Sequence, residues 1–242
     1  MNVLTTSRLV AVCAAGLLAL TPAVRAQQHG QAQGGAQGHE GMKHDGTQHP
    51  DHMEHSFSDA ERYAKQFDDP ARDAWQMPDR VIGALGLKSG QSVADIGAGT
   101  GYFTARLAKS AATPKVFASD IEPNMVKYLQ QRAMKEGLKN VTAVQAKADS
   151  PNLPEPVDVI LIVDTFHHIP NRVAYFTALK KSLKPGGRIA IVDFRKGSPE
   201  GPPEEFKFTP DQISGEMGKA GYALQTSHDF LPRQMFLVYS PK

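Results

Sequence analysis

The stretch Val93–Thr104, V-A-D-I-G-A-G-T-G-Y-F-T, decides the fold of this chain of 242 residues. It predicts a buried strand, a turn with glycines at alternate positions and the first turn of a helix. Glycine has no Cβ atom, so the backbone of such a turn can bend tightly and approach a ligand closely. The helix that follows points free N–H groups and a partial positive charge at the space above the turn. Because Asp95 precedes the first glycine by two residues, the stretch indicates a site for a nucleoside with a charged tail.

Strands and helices alternate regularly after this stretch. The predicted strands are Ser92–Ile96, Lys115–Ser119, Val141–Ala146, Val157–Val163, Arg188–Phe194, Tyr222–His228 and Gln234–Tyr239. The predicted helices are Pro78–Leu85, Tyr102–Ser110, Pro123–Glu136, Asn171–Leu183 and Pro210–Ala220. Only a short link separates the last two strands, so they form an antiparallel hairpin. The pattern predicts an α/β fold, a doubly wound, seven-stranded, mostly parallel sheet with a C-terminal antiparallel hairpin.

Polar residues follow the predicted strands at the edge where a doubly wound sheet binds its ligands. Asp120 follows the second strand, where a carboxylate can accept hydrogen bonds from both hydroxyls of a ribose, and Glu122 competes for this role. Asp149 follows the third strand and is suited to an adenine amino group. The fourth strand ends at residues 164–168, D-T-F-H-H. We therefore expect a nucleoside pocket at this edge of the sheet.

A dehydrogenase with a nicotinamide cofactor is the alternative explanation for a glycine turn followed by an acid. Its glycines normally have the spacing G-x-G-x-x-G, which seats a pyrophosphate. In this chain the spacing is G-x-G-x-G after Asp95, whose charge would repel a diphosphate but suits an ammonium group. The residues therefore favour a ligand with an ammonium group over a dinucleotide.

Four segments resemble the class I S-adenosylmethionine-dependent methyltransferases. They are the V-A-D-I-G-A-G-T-G turn, S-D-I-E-P-N-M at 119–125, A-D-S at 148–150 and L-K-P-G-G-R at 183–188. The resemblance extends from about Pro78 to the end of the chain. It implies a methyltransferase domain at 78–242, with S-adenosylmethionine as the methyl donor and a small molecule as the acceptor.

The resemblance also implies which residues bind the donor. They are Asp95, Gly97, Ala98, Gly99, Gly101, Asp120, Ile121, Asp149 and Asp164. The glycines line the methionine part of the donor, and Asp95 helps to hold its ammonium group through Gly97 and water. Asp120 takes the ribose, while Ile121 lies against the adenine and Asp149 takes its amino group.

The residues after the fourth strand are the predicted catalytic residues: Asp164, His167 and His168. Methyl transfer from a sulfonium depends mainly on holding the acceptor in line, and a base is needed only if the acceptor must lose a proton. Histidine can be that base near neutral pH. Asp164 contacts the methionine end of the donor or orients the acceptor. The alternative is that both histidines only bond the loop backbone while Ile169 packs inward.

The first residues have the layout of a secretory signal peptide, predicted at 1–26. Arg8 precedes an apolar run from Leu9 to Leu20, which is too short for a comfortable membrane span, and Ala26 closes a cleavage site. The sequence therefore predicts export to the periplasm and no integral membrane segment after cleavage. If the start codon is misassigned, the protein is instead cytoplasmic.

Residues 27–56 are rich in Gln, Gly and His, and this composition predicts a disordered tether. Its imidazoles suit weak binding of copper, zinc or nickel ions, although no fixed tetrahedral pattern indicates a structural zinc site. These histidines are His29, His39, His44, His49, His52 and His55. A plain solvated linker is the alternative.

Residues 57–77 contain Tyr63, Phe67 and Trp75 at roughly helical spacings. We interpret this segment as a lid that excludes water from the site. Arg72 and Gln76 are polar candidates on it, and simple packing of an added helix is the alternative.

The formal net charge of +2 falls to zero when the signal peptide is removed, because two arginines leave with it. The remaining cations are spread along the chain, so the basic footprint of a nucleic-acid-binding protein is missing. The sequence predicts an exported methyltransferase with an unidentified small-molecule acceptor. The alternatives are an exported, non-catalytic ligand-binding protein of the same fold and a metal-handling protein that acts through the tether.

Overall fold

The structure, a computed structural model, describes residues 59–242. The predicted signal peptide, the predicted tether with its candidate metal-binding histidines and the first two residues of the predicted lid lie outside the described residues. The helices are α1 Ala60–Phe67, α2 Asp73–Gln76, α3 Pro78–Ala84, α4 Tyr102–Lys109, α5 Pro123–Lys135, α6 Arg172–Leu179 and α7 Pro210–Lys219. The strands are β1 Ser92–Ile96, β2 Lys115–Asp120, β3 Val141–Gln145, β4 Val157–Val163, β5 Leu183–Phe194, β6 Tyr222–His228 and β7 Gln234–Pro241.

The strands form one seven-stranded sheet in the order β3-β2-β1-β4-β5-β7-β6. Neighbours from β3 to β5 are parallel, whereas β7 is antiparallel to both β5 and β6. The predicted fold class is therefore confirmed. The order reverses between β1 and β4, which places the carboxyl ends of these strands beside a crevice suited to a ligand.

The sheet is buried on both faces, because successive residues of its inner strands enter opposite halves of the core. On β5, Ile189 and Ile191 pack on one side, while Ala190 and Val192 pack on the other. This explains why β4, V-D-V-I-L-I-V, is nearly all apolar rather than alternating. None of the helices in residues 59–242 is long and apolar enough to cross a bilayer.

The boundary between α6 and β5 differs from the prediction. The predicted helix Asn171–Leu183 ends at Leu179 and continues as a turn of 3-10 helix over Lys180–Ser182. Strand β5 then begins at Leu183 instead of Arg188, since Leu183 pairs with Val157 ahead of a shift in register. Pairing with β4 thus extends the strand through a Pro-Gly-Gly segment that by itself favours a turn.

Candidate active site

A cavity of about 630 Å³ lies at the carboxyl ends of β1, β2 and β4. Most of the residues that the sequence assigns to the site line it. They are Asp95, Gly97, Ala98, Gly99, Asp120, Ile121, Asp164, His167 and His168. Two assigned residues, Gly101 and Asp149, are not among the lining residues. The topology therefore brings together residues that lie far apart in the sequence.

The glycine turn requires glycine for steric reasons. Gly97 and Gly99 have φ angles of +72° and +55°, which L side chains rarely adopt. A Cβ atom on Gly97 would overlap the side chain of Thr165. The N–H groups of Gly97 and Ala98 donate to the carbonyl of Ser119 at 2.8 and 3.2 Å, which ties the turn to β2.

Asp95 lies beneath this turn and is buried. Burial raises its pKa to about 6, although a 2.7 Å hydrogen bond from Thr104 Oγ1 opposes the change. The carboxylate therefore remains mostly ionised at neutral pH, and it supplies negative charge where the sequence predicts an ammonium group.

Asp120 braces the glycine turn from the next strand. Its Oδ2 accepts a 2.8 Å hydrogen bond from the N–H of Gly99, and its Oδ1 accepts a 2.9 Å bond from the N–H of Glu122. Burial raises its pKa above the usual range. A carboxylate has about four acceptor positions, so two lone pairs stay available for ribose hydroxyls. Asp120 thus has a structural role that the sequence did not reveal.

The adenine end of the predicted pocket has one exposed apolar side chain. Ile121 lines the cavity and is 55% exposed, as expected of a surface that a flat base covers. Asp149 is exposed and lies outside the lining. Strand β3 ends at Gln145, and residues 146–148 line the cavity instead. The assignment of Asp149 to the adenine amino group therefore stays a prediction that the cavity lining does not support.

Gly101 serves helix packing in this structure. It precedes α4 with a φ angle of +91°. A Cβ atom there would lie 2.8 Å from Leu129 Cδ2, a side chain of α5. The residue thus lets α4 and α5 approach each other beside the turn.

Asp164 lies at the centre of a polar network at the end of β4. Its φ angle is +51°, and its carboxylate accepts hydrogen bonds from Gln234 Nε2 and, at 3.4 Å, from Gln76 Nε2 and Arg72 Nη2. Burial and the nearby charge of Asp193 raise its pKa to about 6, while Arg72 acts in the opposite direction. The sequence indicated Arg72 and Gln76 but not Gln234, which arrives from β7.

His167 forms a buried pair with Asp193. Its Nδ1 lies 2.9 Å from Asp193 Oδ1 and 3.0 Å from Oδ2. Burial alone would lower the pKa of His167, but the charge of Asp193 and its hydrogen bond outweigh burial and raise that pKa above its usual range. The ring of His168 lies 4.2 Å from that of His167, between ring centroids. Sequence reasoning missed Asp193, because the pairing of β5 with β4 brings it to His167.

The N-terminal segment 59–77 covers the glycine turn. The Phe67 ring would lie 3.4 Å from a Cβ atom on Gly99, and Tyr63 stacks on Phe67 with ring centroids 5.2 Å apart. Arg132 of α5 donates to Asp68 Oδ1 at 2.8 Å and to the carbonyl of Thr100 at 2.9 Å. One guanidinium therefore joins the end of α1 to the glycine turn.

A profile described as a methyltransferase domain matches residues 87–222. The chain belongs to the methyltransferase domain family. This membership and the seven-stranded sheet together confirm the resemblance at the level of family and fold.

Curated relatives and solved structures agree with this family. The ubiquinone/menaquinone biosynthesis C-methyltransferase of Shewanella pealeana is 30% identical over 119 residues, which cover 48% of this chain and 47% of that protein. The 27-O-demethylrifamycin SV methyltransferase of Amycolatopsis mediterranei is 33% identical over 122 residues, covering 49% and 44%. A SAM dependent methyltransferase from Aquifex aeolicus has a TM-score of 0.68 and 29% identity, covering 75% of this chain and 97% of that one. The chain spans about half the length of the curated relatives it matches.

Proposed function

We propose that this methyltransferase transfers a methyl group from S-adenosylmethionine to a small-molecule acceptor. The observation that carries the proposal is the cavity over the glycine turn, which Asp95, Asp120 and Ile121 all line. Asp95 suits the ammonium group of the donor, Asp120 suits the ribose and Ile121 suits the flat base. The names of the relatives, which include methyltransferases of small molecules, support the same conclusion.

The residues that line the cavity fit the methionine part, the ribose and one face of the adenine of the donor. The backbone of Gly97–Gly99 lines the cavity where the methionine part is proposed to bind. Asp95 and Asp164 supply negative charge near that part of the cavity. When bound, S-adenosylmethionine supplies a methyl group that its sulfonium already activates. The protein therefore needs to hold the acceptor, exclude water and remove a proton.

His167 is the residue that removes the proton in this proposal. It lines the cavity, and its Nδ1 is occupied by Asp193, which leaves Nε2 as the nitrogen that can accept a proton. Asp193 orients the ring and stabilises the imidazolium that forms once the acceptor has given up its proton. The raised pKa of His167 makes it a stronger base than a free histidine. We therefore expect the acceptor to carry an O–H or N–H group that loses its proton to His167.

We also propose export, on the basis of residues 1–26 alone. The periplasm is then the compartment in which the acceptor is found. Edman sequencing of the protein recovered from the periplasmic fraction would test it, with Gln27 expected at the N-terminus.

Calorimetry of the protein with S-adenosylmethionine and with S-adenosylhomocysteine tests the donor site. Both compounds should bind, and absence of binding would refute the proposal. A metabolite extract is then screened for acceptance of a labelled methyl group from the donor. Donor binding with no labelled product in any fraction would favour the non-catalytic ligand-binding alternative.

A further inference from the structure

The cavity has a second part away from the glycine turn, which we call the acceptor chamber. It is formed by Trp75, Phe194, Glu200, Pro202 and Arg233, all of which line the cavity. The Trp75 and Phe194 rings touch, with centroids 5.6 Å apart. Both aromatic residues line the cavity, which suits a flat apolar group on the ligand.

A charged pair closes this chamber. The Arg233 guanidinium lies 5.3 Å from the centroid of the Trp75 ring, and its Nη2 lies 3.1 Å from Glu200 Oε1. The other oxygen, Glu200 Oε2, is buried and has no hydrogen-bond partner among the described residues. Buried carboxylate oxygens normally have donors, because an unpaired one is costly. Glu200 therefore calls for a hydrogen-bond donor that residues 59–242 do not supply.

The loop that carries Glu200 is held firmly in place. Gly201 has a φ angle of +93°, and a Cβ atom on it would overlap the Phe194 ring. Two hydrogen bonds also join the two sides of this loop. The N–H of Gly197 donates to Glu204 Oε1 at 2.9 Å, and buried Lys207 donates to the carbonyl of Ser198. Glu200 is thus positioned by its loop against the ring on which a ligand would rest.

The charged residues that line the whole cavity indicate the sign of the charge on the acceptor. The carboxylates are Asp95, Asp120, Glu122, Asp164 and Glu200, and the permanent cations are Arg72, Lys147 and Arg233. His167 with its Asp193 partner adds no net positive charge. The proposed donor carries one net positive charge, so carboxylates remain in excess when it is bound. A cationic acceptor is therefore favoured over an anionic one.

We propose that the acceptor is an aromatic compound with a protonated amine at the end that Glu200 recognises. Its ring lies against Trp75 and Phe194, and its ammonium group pairs with the Glu200 carboxylate, whose side chain is 40% exposed and lines the cavity. Arg233 is already committed to Glu200 and Trp75, so it positions Glu200 rather than binding an acid. This inference rests on the proposed function, because it concerns the acceptor of the same cavity.

Trp75 gives a direct test, since it is the single tryptophan of the chain. Its fluorescence is titrated in the full-length protein saturated with S-adenosylhomocysteine. The probes are tyramine, p-ethylphenol and p-hydroxyphenylacetate, which share a phenol ring and differ in ending in an ammonium, a methyl or a carboxylate group. Tyramine should bind about 10-fold or more tightly than p-ethylphenol, as expected of a hydrogen bond to a charged group, and p-hydroxyphenylacetate should bind most weakly.

Glu200→Gln should remove the preference for tyramine and leave the affinity for p-ethylphenol unchanged. Glu205→Gln is the matched control, because Glu205 is an exposed acid of the same loop that does not line the cavity. Unchanged calorimetric affinity for S-adenosylhomocysteine shows that each variant is folded.

Three results would overturn the inference. They are tighter or equal binding of p-hydroxyphenylacetate, a preference that survives Glu200→Gln, and no fluorescence response to any probe while S-adenosylhomocysteine binds. Each of these leaves the proposed function standing. Failure of S-adenosylhomocysteine itself to bind would refute the proposed function, and the inference with it.

Discussion

The two parts of the cavity are built in different ways. The donor half, formed by Asp95, the glycine turn 97–101 and Asp120, comes mainly from one continuous stretch and is tied to the sheet by backbone hydrogen bonds. The acceptor chamber combines side chains from α2, the end of β5, the loop after β5 and the β6–β7 link. Changes in the donor half should therefore alter stability and donor affinity together. Changes in the chamber should alter acceptor binding and leave the fold intact.

Replacement of His167, which lines the same cavity, should have the largest effect. His167→Gln should lower kcat by about 100- to 10,000-fold, the range for loss of a general base. Donor affinity in calorimetry should stay the same. The measurement uses the acceptor found in the labelling screen. A decrease of less than about 10-fold would show that His167 is not the base.

The same residue predicts how the rate depends on pH. His167 must be neutral to accept a proton, so kcat should rise as the pH rises through its raised pKa. Asp193→Asn removes the charge that raises this pKa, so the acidic limb of the profile should move to lower pH. A proton NMR titration of the His167 imidazole checks the direction without any acceptor.

Gly97→Ala should break the donor half. The new side chain must adopt a left-handed backbone conformation and displace Thr165, which costs roughly 3–5 kcal/mol in the free energy of unfolding. Donor affinity should fall with it. Gly83→Ala is the control, because a Cβ atom there meets no atom within 4 Å. Urea unfolding measures the stability and calorimetry measures the donor affinity. A stable Gly97→Ala protein that binds the donor normally would contradict the expectation that the donor half couples the two.

Asp95→Asn should separate stability from donor affinity. Burial raises the pKa of Asp95 from 3.8 to about 6, so the folded state binds the extra proton more tightly than the unfolded chain. The stability that this proton confers is present below about pH 4 and is lost as the pH rises through about 6. The amide of the variant does not ionise. Between about pH 4 and pH 7, the variant should therefore keep about 3 kcal/mol in the free energy of unfolding that the wild type loses.

The same variant should bind the donor less tightly, because the ammonium group loses its counter-charge. Urea unfolding at low and neutral pH and calorimetry measure the two effects, with exposed Asp229→Asn as the control. Equal pH dependence in wild type and Asp95→Asn would show that Asp95 does not titrate as described.

Asp120→Ala should weaken donor binding by about 1.5–3 kcal/mol, the contribution of hydrogen bonds to a charged group. It should also destabilise the fold, since the N–H groups of Gly99 and Glu122 lose their acceptor. Glu122→Ala is the matched variant for the competing ribose assignment. If Glu122→Ala has the larger effect on affinity in calorimetry, the ribose role moves to Glu122.

Removal of residues 1–56 should leave donor binding unchanged. The tether has too few apolar residues to join the core. A chain that begins at Phe57 should keep its affinity for the donor and lose the copper(II) uptake that the histidines provide at neutral pH. Reduced donor affinity in calorimetry would place the tether in the site, and absence of copper uptake by the full chain would reduce it to a linker.

The donor half could be predicted from sequence because its signals are local. A positive φ angle, a chain reversal and the start of a helix are all properties of neighbouring residues, so Gly97 and Asp95 were recognisable. Asp193 and Gln234 were not, because they reach His167 and Asp164 only through the pairing of β5 with β4 and of β7 with β5. Asp149 was assigned to the adenine through the resemblance and its position after the third strand, and this assignment stays a prediction; β3 ends at Gln145, and Asp149 is not among the residues that line the cavity.

The contact of Phe67 with Gly99 has a kinetic consequence. Phe67, the last residue of α1, lies beside the turn where the donor is proposed to bind, and Arg132 joins the end of α1 to the backbone of that turn. We expect the product, S-adenosylhomocysteine, to dissociate only when α1 moves away from the glycine turn. Its residence time would then be set by how often that helix detaches, and this step rather than chemistry would limit the number of turnovers per second.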